Sequence, residues 1–255
     1  NVSGILSTKI KGKSIIKDIF DGMKKNYNII ENKDMILLNA VDFGVPQDRK
    51  RIIIIGTRKD LSINPKSIYD ELKNITKKLK KTTVRDAISD LPKLKPSEGM
   101  QTVNFNPTNK SSYLKLIRQN NYNLLHGHIA RNHNELDRKR YRLMAKNKWD
   151  LSDLYKNEPS LIHIKKRLFN NSYCVQNYDA PSKTIIAHLY KDGNQFIHPD
   201  YTQERSITPR EAARLQSFPD DFVFPCSITQ QYKQIGNAVP PLMSKYIAMV
   251  LKKYL

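Results

Sequence analysis

Four consecutive isoleucines, Ile52 to Ile55, limit most strongly what this chain can fold into. A run with no polar alternation needs apolar cover on both faces, so Arg51-Ile-Ile-Ile-Ile-Gly56 is expected to be a central strand of a sheet. Met35-Ile-Leu-Leu-Asn39 reads as a shorter buried strand before it, and the connection between them carries Gly44 and Pro46. Strands joined this way usually pair as antiparallel neighbours. Gln47, Arg49 and Arg51 stand where the chain enters the isoleucine run. Residues two apart in an extended chain share a face, which lines up one amide and two guanidiniums. The start of an antiparallel strand lies at the carboxyl ends of its neighbours, the edge where open α/β sheets bind ligands. Planar donors in a row suit a phosphate or a base carbonyl. For the bare tripeptide, a solvated basic turn is the competing reading.

Composition narrows the partner. Against 24 acidic residues stand 44 Lys and Arg, a net charge of +20. A pI near 9.8 is the footprint of a polyanion binder, although a generally basic proteome gives the same balance. Cys174 and Cys226 are isolated, which argues against a zinc ribbon or a disulfide scaffold and suits a reducing cytoplasm. The longest apolar runs, Ile52 to Ile55 and Ile247 to Leu251, are far short of a membrane span. Lys9, Lys11 and Lys13 precede any apolar stretch, so no signal peptide is expected. His126, His128 and His133 lie near Glu135 and Asp137 but near no cysteine, and a metal site is not expected.

Along the chain, Ser14 to Lys25 and Ser67 to Lys81 read as helices, and Thr83 to Pro92 as a short helix capped by Thr83. From Lys93 to Arg205 the pattern loses periodicity and turns rich in Asn, Lys, His and Tyr, with Thr184 to His188 as a strand candidate. Thr208-Pro-Arg-Glu211 is a capping box with proline at the first helical position. A last helix from Pro241 to Tyr254 carries a stripe of Leu242, Tyr246, Met249 and Val250. Between Arg131 and Lys148, Arg131, Arg138 and Arg140 fall among further lysines and arginines beside Tyr141 and Trp149, a pattern suited to a nucleic-acid backbone. Lys183 and Thr184 are similar candidates, and a solvated basic face is the alternative for all five.

Three blocks carry a resemblance. They are Phe43-Gly-Val-Pro-Gln-Asp-Arg-Lys-Arg51, the stretch from Arg205 to Asp220, and Gln231-Tyr-Lys-Gln-Ile-Gly-Asn-Ala-Val-Pro-Pro-Leu-Met243. In kind and order they resemble signature blocks of the DNA (cytosine-5) methyltransferases, with a variable region between the first two. The resemblance implies that Arg51 holds the carbonyl oxygen of a flipped cytosine, while Arg49 and Gln47 organise the pocket. It implies that Asn237, flanked by Gly236 and Ala238, helps hold S-adenosylmethionine. It makes the Arg205 to Asp220 helix a brace for a recognition domain, with Arg210 and Arg214 structural.

The implied fold is α/β: part of a doubly wound, Rossmann-like methyltransferase sheet over 1–92 and 226–255, and a smaller irregular α+β target-recognition domain over 93–225. The implied partner is double-stranded DNA, in a bacterial restriction-modification setting, with no membrane. Departures from the family pattern are equally informative. Asn1-Val2 looks like the end of a Glu-Asn-Val block, no Pro-Cys stands where the family places its nucleophile, and none of the nine glycines builds the family's cofactor turn. Cys226 follows Pro225 but sits far from that place. The chain is therefore expected to be a C-terminal portion, inactive alone, whose partner is an N-terminal half on the same or a separate chain. A non-catalytic DNA-binding module derived from the family is the alternative.

Overall fold

The computed structural model describes residues 3–106, 111–118, 122–163 and 169–255, so Asn1-Val2 lies outside the described residues. A hairpin of β1 (Lys9–Ile10) and β2 (Lys13–Ser14) leads into α1 (Ile15–Met23), which buries Ile16 and Phe20. β3 (Tyr27–Ile29) follows, and then α2 (Lys33–Ile36), whose first turn is capped by the Asn32 side chain. That cap makes Met35 and Ile36 helical, which shortens the expected strand to β4 (Leu37–Asn39). β4 pairs antiparallel with β5 (Lys50–Ile52), placing Leu38 opposite Arg51.

The isoleucine run departs from expectation. Only Ile52 lies in β5; Ile53 to Ile55 link it to β6 (Gly56–Arg58), which pairs antiparallel with β3, so the run passes from one two-stranded ribbon to another. Ile53 still donates to the carbonyl of Ile36 at 2.8 Å. Beyond it the Tyr69 hydroxyl intervenes, donating to the Ile53 carbonyl at 2.8 Å and accepting from the Ile55 amide at 2.9 Å. A side chain thus satisfies backbone groups that a continuous ladder would have used. Ile52 and Ile55 are buried, while Ile53 and Ile54 are half-buried against the core.

Tyr69 belongs to α3 (Pro65–Thr76), which starts under an Asn64 cap and ends before the lysine cluster. α4 (Val84–Ile88) has the capping box of Thr83 and Asp86. β7 (Gly99–Asn104) and β8 (Leu124–Ile129) form an antiparallel hairpin around α5 (Ser112–Ile117). α6 (Glu135–Asn147) and α7 (Leu151–Asn157) follow, packed around a small core of Tyr141, Met144, Leu151, Leu154, Leu161, Tyr173 and Ile197. The expected strand at Thr184 to His188 is instead an extended stretch ending in a 3-10 turn, Ala187–Tyr190.

The main core runs from Ile16 to Val250 and takes in Phe105, Tyr113, Leu125 and Ile185. At its centre lies α8 (Pro209–Leu215), every residue of which is buried. Its capping box is the expected one, Thr208 with Glu211. Arg205 grips Glu211 through two bonds of 2.8 Å, and Arg214 reaches Asp90 at 2.6 Å and Asp220 at 2.7 Å. α9 (Ile228–Asn237) and α10 (Pro241–Leu251) close the fold, and Met249 is 50% exposed rather than part of the apolar stripe. Among the described residues no helix is long and apolar enough to cross a membrane.

Candidate active site

The approach to β5 is held by Asn39, whose side chain accepts the Arg49 amide at 3.0 Å and donates to Asp48 at 2.8 Å. From there the chain alternates: Gln47 and Arg49 are buried, Asp48 and Lys50 are exposed, and Arg51 is intermediate. The shared face expected from period two is present. Its three members differ in what they hold.

Gln47 donates to the Leu215 carbonyl at 3.1 Å and to the Gln216 side chain, and its own oxygen accepts the Ile185 amide at 2.9 Å. Arg49 donates through Nη1 to the Ile185 carbonyl at 2.6 Å and through Nη2 to the carbonyls of Gly236 at 2.9 Å and Ala238 at 2.8 Å. One guanidinium therefore ties β5, the Ile185 segment and the end of α9 together. Burial, and then the charge of Arg51, pull the Arg49 pKa down to about 10. Arg51 is spent differently: among the described residues, its guanidinium bonds only to the carbonyl of neighbouring Lys50, at 2.7 Å. Burial lowers its pKa as well.

Gly236 and Asn237 are the last residues of α9 and not a separate turn, while α10 begins at Pro241 as expected. A side chain on Gly236 would place a Cβ 2.3 Å from the Ala187 nitrogen and 2.4 Å from the Ile186 carbonyl carbon. Glycine is required there by close backbone approach. Asn237 is exposed, at the end of a helix whose Gly236 and Ala238 carbonyls are already held by Arg49.

The sequence pattern of the C-5 cytosine-specific DNA methylases matches residues 1–253. The chain belongs to that family. It is 36% identical to the type II methyltransferase M.Bpa9945I of Bacillus paralicheniformis over 99% of this chain and 58% of that protein. It is 31% identical to M.DdeI of Desulfomicrobium norvegicum over 100% of this chain and 62% of that protein. The chain thus spans about six tenths of these relatives. A prophage-encoded DNA modification methyltransferase of E. coli shares the fold with a TM-score of 0.69 at 24% identity, over 99% of this chain and 67% of that one. The S. pombe Dnmt2 methyltransferase does so with a TM-score of 0.50 at 13% identity, over 100% of this chain and 65% of that one.

The basic residues singled out as DNA contacts fall into two groups. Arg140 is 5% exposed, with its guanidinium on the Leu161 carbonyl at 3.0 Å and Asp137 at 2.8 Å. A phosphate could reach it only by breaking both bonds, which sets Arg140 apart from the accessible candidates. Arg131 is also turned inward, its guanidinium stacked 4.1 Å over the ring of Tyr232 with both terminal nitrogens buried and unpartnered. Arg138 stays accessible and pairs with Glu204 at 2.9 Å. Lys183 is exposed, and Thr184 donates to the Asp48 carbonyl at 2.6 Å, tying its segment to the Gln47 to Arg51 block. Lys183 also lines a cleft of about 710 Å³ together with Arg85, Lys148, Trp149 and Tyr178.

The three histidines are engaged in local bonds. His126 meets Thr102 at 2.9 Å, His128 meets Thr208 at 3.0 Å, and His133 meets Ser206 at 3.1 Å. Among the described residues no cluster could hold a metal ion. Sequence reasoning missed Gln216. This fully buried glutamine bonds both to Gln47 and to the carbonyls of Ile235 and Ala238. Its only sequence signal is an amide immediately after a helix opened by a capping box.

Proposed function

We propose that this chain forms the base-binding and target-recognition part of a DNA cytosine-5 methyltransferase of restriction-modification type, using S-adenosylmethionine. The observation that carries this reading is the division of labour within the Gln47, Arg49 and Arg51 row. Two members are consumed in holding backbone, and the third keeps its donors for a ligand. Arg51 donates to the carbonyl oxygen of a cytosine extruded from the duplex, an extrusion that costs roughly a few kcal/mol. Gln47 and Arg49 keep the surrounding segments in place before the base arrives, so little reorganisation accompanies binding. Every described partner of Arg49 is a carbonyl oxygen, so the charge at this corner is solvated without being cancelled.

Asn237 presents a side-chain amide from backbone that Arg49 and Gln216 immobilise, which fits one polar contact of a cofactor site. When bound there, S-adenosylmethionine supplies the methyl group. In this reading the attacking thiol, the protonating acid and the main cofactor turn come from an N-terminal half on the same or a separate chain. Residues 1–92 and 226–255 then contribute part of a doubly wound sheet, and 93–225 read the DNA. Lys183, Thr184 and Arg138 are the contacts to its backbone, while Arg131 and Arg140 are not among them.

The test is transfer of a labelled methyl group to DNA by the chain alone and after assembly with its N-terminal half. Activity is expected only on assembly. In the assembled enzyme, Arg51→Ala is expected to slow transfer by about 100-fold or more, as loss of a transition-state donor does. Turnover by the chain alone, or an unaltered rate for Arg51→Ala, would overturn the reading.

A further inference from the structure

Gln216 follows α8 and is fully buried. Its Nε2 donates to the Ile235 carbonyl at 3.1 Å and to the Ala238 carbonyl at 2.8 Å, and its oxygen accepts from Gln47. The Ala238 carbonyl is the one that also receives Arg49. Ser217, next in the chain, has a left-handed backbone with φ 65°, and its hydroxyl accepts the Leu242 amide at 3.1 Å in the first turn of α10. Two adjacent residues thus grip the α9 to α10 turn from both sides, with Asn237 at its head.

We propose that Gln216, assisted by Ser217, is a positioning residue for Asn237, and that it fixes the spacing between the cofactor contact and the base clamp. This rests on the cofactor role proposed above for Asn237. The geometry explains why an amide is needed: an alkyl chain would fill the volume but join neither Gln47 nor the turn. It also separates positioning from folding. The Ile235 carbonyl keeps a bond from the Ala238 amide at 3.2 Å, the Ala238 carbonyl keeps Arg49, and Gln47 keeps the Leu215 carbonyl. Gln216→Met therefore loosens the turn and leaves each partner with another bond.

The test measures S-adenosylhomocysteine binding by calorimetry in the assembled methyltransferase. Gln216→Met is expected to weaken binding roughly tenfold, about the worth of one net hydrogen bond, and to raise KM for the methyl donor in step. The kcat at saturating donor should fall much less, a split that a general loss of stability would not produce. Ser217→Gly removes the hydroxyl at a backbone angle that glycine favours, and is expected to weaken binding about threefold, the lower end of one net bond. This variant carries the test if Gln216→Met does not fold. On an Asn237→Ala background, neither change should weaken binding further. If Asn237→Ala itself leaves affinity unchanged, the cofactor reading fails and this inference with it. If Asn237→Ala weakens binding but the Gln216 and Ser217 variants bind normally, or add fully to it, the positioning role alone is overturned.

Discussion

The base corner and the bracing helix are both built on buried arginines, and they differ in what most of those arginines face. Around α8, Arg214 faces Asp90 and Asp220, and Arg205 faces Glu211. Burial works against the charge on Arg214, but Asp220 and Asp90 outweigh it and its pKa rises. Arg49 is as deeply buried, yet burial and Arg51 lower its pKa, because carbonyl oxygens solvate a cation without neutralising it. Arg205 and Arg214 are thus compensated by carboxylates, whereas Arg210 in α8 rests on the carbonyls of His126, Pro219 and Phe222, and burial lowers its pKa to about 10, as it does for Arg49 at the base corner. In a chain of net charge +20, the total says little about which cations do chemistry.

Removing one member of each set is the most direct way to break this comparison. Arg214→Met leaves Asp90 and Asp220 to share Arg118 as their remaining cation, and is expected to cost about 3 kcal/mol of stability, the lower end for a broken buried pair, read by urea denaturation. Arg49→Met leaves carbonyls rather than carboxylates unsatisfied, and should cost roughly 1–3 kcal/mol while also slowing methyl transfer in the assembled enzyme. Equal losses for the two variants would erase the distinction. Acid sharpens it. Burial holds both His198, beside Glu211 and Arg205, and His133 neutral, with pKa values lowered from the usual 6.5 to about 4. The unfolded chain takes up these protons near pH 6.5 and the folded chain only near pH 4, so their contribution is intact above 6.5 and falls away towards 4. A melting temperature that declines across that window is expected, with His198→Asn flattening part of the slope. The smallest effect belongs to Cys226→Ser, which should leave methyl transfer by the assembled enzyme unchanged, since that thiol is assigned no role in the chemistry. Its abolition would move the nucleophile into this chain.

Much of the local architecture was legible before any coordinates. The Thr83 cap, the capping box at Thr208, the antiparallel partner of β5 and the helix starting at Pro241 follow from residues adjacent in the chain. The isoleucine run was misread because its strand pairing is interrupted by Tyr69, which lies 14 to 16 residues away. The burial of Arg140 was not legible, because a basic stripe on a helix looks the same whether one of its cations faces water or Leu161 and Asp137.

By itself the sequence determined that Gln47, Arg49 and Arg51 share one face, since alternation in an extended chain depends only on near neighbours. Only the tertiary structure decided which of them is spent. The carbonyls that capture Arg49 lie 136 to 189 positions further along, and no local pattern can bring them within 3 Å.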